Sequence, residues 1–132
     1  VVLHVFPHVT QKMIASFLAE MSAVKCRAGL AVDLKTNPKV ILSNLKELDT
    51  VFVMGIPVAT HGLQPDAITI SRLAEVKSMI REKNVQCRLG LDGGVNIATF
   101  PKLLKHVDEL VIGSLLFDAP DMVTQWRLLQ SY

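Results

Sequence analysis

Aromatic rings, cysteines and a dominant charge are what this 132-residue sequence has least of, and each shortage closes off a class of function. One Trp, one Tyr and five Phe leave little ring surface for stacking nucleobases, and fourteen Lys and Arg against twelve Asp and Glu give a formal charge of only +2. The basic residues are scattered, as in "REK" at 81–83 and "KLLKH" at 102–106, so no strip of cations marks a nucleic-acid face. Nucleic acid is therefore not an expected partner. Cys26 and Cys87 stand 61 positions apart with no CxxC or Cys/His spacing, which excludes a cysteine-based zinc site. Both read as reduced packing residues, because a free Cys behaves as a small hydrophobe. No apolar run reaches the ~20 residues that cross a bilayer, so no membrane association is expected. Val1 to Thr10 lack the basic start and small-residue cleavage site of a secretory signal, and a cytoplasmic location is expected. The chain opens on Val1 without a Met, and its first residues already read as a buried strand, so a fragment of a longer protein is expected.

Half the residues are hydrophobic and 20% charged, enough for one modest domain, 1–132, with a real core. The apolar runs "VVLHV", "AGLAV", "TVFVMG", "CRLGLD" and "ELVIGS" are short and hardly alternate, which is the pattern of strands covered on both faces. Amphipathic segments lie between them. "TQKMIASFLAEM" begins at a Thr10 cap and repeats Ile14, Phe17, Leu18 and Met21 at helical spacing. "NPKVILSNLKEL" puts Pro38 at the first position of a second helix. "DAITISRLAEVKSMIREKN" carries Ile70, Leu73, Val76, Met79 and Ile80 on one stripe, Pro101 sets the start of a helix in "NIATFPKLLKHV", and "APDMVTQWRLLQSY" makes the last. Strand–helix units repeated in this way mean parallel strands with crossover helices. A doubly wound open sheet and a (β/α) barrel both fit that pattern, and in either one ligands sit at the carboxyl ends of the strands.

That rule selects Asp33 to Thr36, Gly55 to Gln64, Asp92 to Asn96, and Gly113 with Ser114. "LGLDGGVN" at 89–96 raises the sharpest question, because two glycines cost backbone entropy and contribute no packing. Gly93, Gly94 and Gly113 either make tight turns or let backbone N–H groups face an anion. Their place at successive strand ends favours a phosphate, which loops after the last two strands of a barrel commonly hold. Asp92 is either a turn or capping carboxylate or, at a strand mouth beside a phosphate, a general acid/base or cation ligand. His4 and His8 flank the first strand end and read first as packing residues. His61 and His106 read as solvated, and Met54 as packing at a pocket floor.

"GLAVDLKT", "VFVMG", "LGLDGGVN" and "VIGSLLF", in this order and spacing, resemble the later strands of ribulose-phosphate 3-epimerase and its relatives, from about Val1 through Asp121. The resemblance implies an α/β fold of the parallel (β/α)8 TIM-barrel type, of which this chain covers about the last five βα units. It implies an isomerase that epimerises C3 of a ketose phosphate by metal-assisted proton transfer, with Asp92 as a catalytic acid/base. Asp92 would also be a ligand of a divalent metal ion, whether zinc, iron, manganese or cobalt. Gly93, Gly94, Gly113 and Ser114 would hold the substrate phosphate, with Gly62 from the loop after "VMG". That loop reads "IPVATHGLQPD", where the family ends a glycine-rich stretch in Gly-Gly-Gln, so only Gly62 and Gln64 are left to correspond. Phe6 stands where relatives usually carry a Glu, and nothing corresponds to the two His and the second Asp on the family's earlier strands. A sugar phosphate is the expected partner. Five units cannot close an eight-stranded barrel, and the open edge at "VVLHV" leaves room for a homo-oligomer. Two alternatives stay in view: a silent phosphate- or partner-binding paralogue, and another sugar-phosphate barrel enzyme such as a hexulose-phosphate epimerase or an aldolase-like relative.

Overall fold

A computed structural model describes residues 1–56 and 67–132. Five strands, β1 (Val2–Val5), β2 (Gly29–Val32), β3 (Thr50–Met54), β4 (Arg88–Asp92) and β5 (Glu109–Val111), form one sheet. Every pairing is parallel and the order is β1-β2-β3-β4-β5, so each strand lies beside its neighbour in sequence. A doubly wound sheet reverses its order at a switch point, and this one does not. Steady progression around the sheet is the arrangement of a (β/α) barrel wall, which decides between the two architectures that the repeat pattern allows.

Alternation along the strands divides the sheet into two unlike faces. Leu30, Val32, Val51, Val53, Leu89 and Leu91 are all at most 1% exposed and join one core with residues from the helices. Helix α1 (Gln11–Ala23) contributes Ile14 and Leu18 to it and is capped by the Thr10 hydroxyl, which accepts from the Met13 N–H at 3.3 Å. Helix α2 (Ala67–Glu82) contributes Leu73, Val76 and Met79. Registers bring Ala31, Phe52 and Gly90 side by side on the opposite face, followed one row further by Met54, Asp92 and Val111. Phe52 lies over Gly90, where an added Cβ would come within 2.3 Å of the ring.

The helical connections shorten toward the carboxyl end and in the second unit. The helix expected over 37–48 is two 3₁₀ turns instead, Pro38–Ile41 and Leu45–Glu47. Asn37 still caps the first of them, accepting from the Lys39 N–H at 3.0 Å, and Pro38 holds its first position. Asn44 interrupts the run, and Asn competes with its own backbone in a way that breaks regular helix. The fourth unit has only a single turn, α3 (Phe100–Leu103), set by Pro101 as the sequence suggests. A further turn, α4 (Ser114–Phe117), follows Gly113 directly. The last helix, α5 (Met122–Gln130), starts at Asp121, whose carboxylate accepts from the Val123 and Thr124 N–H groups and from the Thr124 hydroxyl. These bonds, the hydroxyl's first, hold Asp121 below the usual carboxylate pKa.

Candidate functional site

The carboxyl ends of the strands carry Phe6, Asp33, Gly55, Asp92 to Gly94, and Gly113 with Ser114. Gly93 and Gly94 have φ of +96° and +75°, so the chain turns there through the left-handed region that other residues resist. That answers half of the question raised by "LGLDGGVN": both glycines are required by the turn itself, whatever else they do. Asn96 completes the turn by accepting from the Ala98 and Thr99 N–H groups, each at 3.0 Å. Gly55 is demanded by its neighbour strand. Its N–H donates to the Asp92 carbonyl at 2.7 Å, and a Cβ would lie 2.3 Å from the Gly93 carbonyl oxygen. Gly113 differs from all of these, because its φ is −105° and an added Cβ would meet nothing within 4 Å. Gly113 is the N-cap of α4, its carbonyl accepting from the Leu116 and Phe117 N–H groups at 2.9 and 3.0 Å.

Asp92 ends β4 opposite Met54 on one side and Val111 on the other. Leu91 before it is fully buried among the helices, so the Asp92 side chain stands on the other face, half-buried beside buried Met54. The sheet's other carboxylates have structural work. Asp49 and Asp108 sit just before β3 and β5, and each accepts from a backbone N–H of the preceding strand region, Ala28 and Leu89, at 2.9 Å. Asp33 closes its own turn by accepting from the Lys35 N–H at 2.8 Å. Among the described residues the Asp92 carboxylate has no hydrogen bond or ion pair, and Asn96, not Asp92, caps the following turn. Asp92 is thus half-buried with no side-chain partner among the described residues.

Gly93 and Gly94 directly follow β4, and Gly113 lies two residues past β5, its neighbour in the sheet. Ser114 opens α4, whose first N–H groups have no acceptor within the helix. The structure thus brings Asp92, Gly93, Gly94, Gly113 and Ser114 to one end of neighbouring strands. Gly62, together with His61 and Gln64, lies outside the described residues.

Main-chain groups near this end are laced together from β1 to β4. The Thr36 hydroxyl donates to the Val5 carbonyl at 3.2 Å, and Arg72 of α2 donates to the Thr36 carbonyl and, at 3.3 Å, to that of Leu34. Buried Thr69 donates to the Gly55 carbonyl at 3.2 Å, and Gly55 bonds to Asp92. The sequence reading passed over Arg72. Its one signal was an Arg at the first turns of a helix that otherwise buries its stripe. His4, Phe6 and His8 form a stack of rings at the β1 edge, with centroids 6.1 and 5.8 Å apart, three strands from Asp92. His106 is on the far side of the sheet from Asp92. Among the described residues no three His, Cys, Asp or Glu side chains gather to hold a metal ion. Asp92 is therefore a single carboxylate here, and the residues present do not by themselves fit the divalent ion that the sequence resemblance implies.

Comparison with known proteins gives a consistent set of relatives. The model of the ribulose-phosphate 3 epimerase family matches residues 1–117. Ribulose-phosphate 3-epimerase of Escherichia coli strain K12 is 30% identical over 97 residues, covering 73% of this chain and 43% of that protein. The enzyme of the same name from Aquifex aeolicus is 29% identical over 106 residues, 80% of this chain and 48% of its own length. That from Methanocaldococcus jannaschii is 29% identical over 87 residues. This chain spans less than half the length of each of these relatives.

Proposed function

Since this chain belongs to the ribulose-phosphate 3-epimerase family, we propose that its strand ends form part of the site of an isomerase that inverts C3 of a ketose phosphate. The observation that carries this reading is Asp92, a half-buried carboxylate without a partner among the described residues, on the strand beside which a second glycine corner follows β5. The backbone N–H groups of Gly93, Gly94, Gly113 and Ser114 bind the phosphate, and in doing so fix how far into the sheet end the sugar reaches. Asp92 then faces the carbon skeleton and takes, or returns, the C3 proton. Loss of that proton leaves an enediolate over C2 and C3, and return of a proton to the opposite face completes the inversion. One carboxylate serves one face of C3, so the group for the other face comes from residues outside those described. Buried Met54 and half-buried Phe52 give the sugar an apolar backing that sharpens the electrostatics of the transfer. A divalent ion would need ligands beyond Asp92, also from outside the described residues, and no step is routed through one. We place the activity in the cytoplasm, because the charge of a sugar phosphate keeps it from crossing a bilayer.

The test is hydrogen exchange at C3 of ribulose 5-phosphate in D2O, followed by 1H NMR with the full gene product that carries this chain. Wild type should exchange and epimerise. Asp92→Asn should stop both while the protein stays folded, since the side chain keeps its size and loses its basicity. Substantial exchange by Asp92→Asn would overturn the assignment. Binding of ribulose 5-phosphate without any exchange by wild type would instead favour a silent phosphate-binding paralogue, a reading that the altered "IPVATHGLQPD" segment supports.

A further inference from the structure

Asp33 follows β2 directly, at the same end of the sheet as Asp92 and two strands away from it. Val32 before it pairs with Val53, and the next residue of β3, Met54, pairs with Asp92. Val32, Val53 and Leu91 are all fully buried among the helices, so Asp33, Met54 and Asp92 alternate together onto the other face. Asp33 still belongs to the ladder there, since its N–H donates to the Val5 carbonyl at 3.4 Å. We propose that half-buried Asp33 is the specificity-determining residue for the unphosphorylated end of the substrate, its free carboxylate oxygen accepting from the C1 hydroxyl of a ketose monophosphate. The assignment rests on the epimerase reading and extends it to a substrate class.

Only half of the Asp33 carboxylate is occupied. Oδ1 accepts from the Lys35 N–H at 2.8 Å, whereas among the described residues Oδ2 has no hydrogen bond and the side chain no ion pair. The turn that carries it is held before any substrate arrives. The Thr36 hydroxyl ties it to the Val5 carbonyl, and Arg72 donates to the Leu34 and Thr36 carbonyls. The order of side chains along the sheet end follows the order of groups in the sugar. From the glycine corners after β5 and β4 come Asp92, then Met54 on β3, then Asp33 after β2, as a ketose 5-phosphate presents C3, C2 and the C1 hydroxyl in turn. Reach agrees with this order. Two strand spacings are ~10 Å, and a sugar with C3 against one carboxylate and its C1 hydroxyl bonded to the other needs about 9 Å between them. Met54 between them offers only a thioether, and Phe6, next after β1, only a ring. A carboxylate accepts hydrogen bonds and carries negative charge, so it takes a hydroxyl there and repels a second phosphate.

The experiment measures C3 exchange in D2O by the full gene product with two compounds: xylulose 5-phosphate, the C3 epimer of ribulose 5-phosphate, and 1-deoxyxylulose 5-phosphate, in which a methyl replaces the hydroxymethyl group. Wild type should favour the first by about thirtyfold in kcat/KM, the size expected of a hydrogen bond to a charged group. Asp33→Ala should lose about thirtyfold on xylulose 5-phosphate yet stay within about threefold of wild type on the 1-deoxy compound, so that the preference vanishes. Asp33→Asn keeps an acceptor for the Lys35 N–H, and with the charge gone its preference should fall below about fivefold. Ribulose 1,5-bisphosphate should inhibit Asp33→Asn at least tenfold more strongly than wild type. The Asp33 assignment alone is overturned if wild type exchanges both compounds equally, if the variants slow both by the same factor, as loss of a merely structural turn would, or if the bisphosphate inhibits Asp33→Asn no better than wild type. Exchange of neither compound by wild type overturns the epimerase reading itself, and the Asp33 assignment with it.

Discussion

Gly55→Ala is a change of one methyl group, and it should be among the most damaging single substitutions at the strand ends. The new Cβ would lie 2.3 Å from the Gly93 carbonyl oxygen and 3.2 Å from the Gly93 carbonyl carbon, both of them backbone atoms. Ordinary contact needs about 3.4 Å, so the ends of β3 and β4 must separate by about 1 Å. The Gly55 N–H to Asp92 carbonyl bond is 2.7 Å long and would open beyond bonding range. Losing that bond costs about 1 kcal/mol, and the overpacking adds roughly 1–3 kcal/mol, for a total of about 2–4 kcal/mol. The same shift moves Asp92 and the Gly93–Gly94 turn together. Misplacing a catalytic carboxylate by about 1 Å lowers turnover by roughly a hundredfold. Urea denaturation reads the first number, and C3 exchange at saturating ribulose 5-phosphate reads the second. Gly113→Ala is the control, because its Cβ meets nothing within 4 Å and should cost under about 1 kcal/mol. Gly90→Ala falls between the two, since the obstacle is the Phe52 ring, which can turn aside. The reasoning would be refuted by a Gly55→Ala protein within about 0.5 kcal/mol of wild type, or by equal effects at 55 and 113.

Gly93→Ala should destabilise by about 1–2 kcal/mol, since φ is +96° and the Cβ would lie 2.7 Å from Ile56, and chemical denaturation checks it. Arg72→Met removes the fork that serves the Leu34 and Thr36 carbonyls and should cost about 2 kcal/mol, with Arg72→Lys restoring only part, as a lysine cannot hold both. Cys87 sets a pH dependence. Its thiol is held up to about 11 in the folded chain, so below the ordinary thiol pKa of ~8.5 it makes no difference. Above that the unfolded chain ionises first, and stability should fall between about pH 9 and 11 by up to ~2 kcal/mol, a slope that Cys87→Ala abolishes in thermal melts.

The strands and the two long helices were legible because their signal is local. Unalternated apolar runs in "AGLAV" and "TVFVM" mark strands buried on the core side, and the stripe through Leu73, Val76 and Met79 marks α2. The second unit misled for a local reason as well. Its apolar residues have helical spacing, and nothing in that spacing reveals that Asn44 would split it into 3₁₀ turns. At the site, the residue types pointed to particular strand ends but could not apportion their roles. Sequence alone left Asp92 between a cap and a reactive group. The placement of Asn96, which does the capping, removes that task from Asp92. The glycines differ in the same way: Gly93 and Gly94 are needed by the turn, whereas at Gly113 a Cβ would meet no neighbour. Arg72 was missed because its partners are main-chain carbonyls more than thirty positions away, at Leu34 and Thr36, and no sequence pattern records such a pairing.

The central claim is that a ketose phosphate sits at the carboxyl ends of β4 and β5 with its phosphate on the glycine corners. Backbone amide shifts of the full gene product during titration with ribulose 5-phosphate test it most directly. The account requires the largest saturable shifts at Gly93, Gly94, Gly113 and Ser114, with Asp92 following and the Ser78–Arg81 stretch of α2 unmoved. Saturable binding that shifts the Ser78–Arg81 stretch, or the β1 edge at His4 and Phe6, while those four amides stay in place would contradict it.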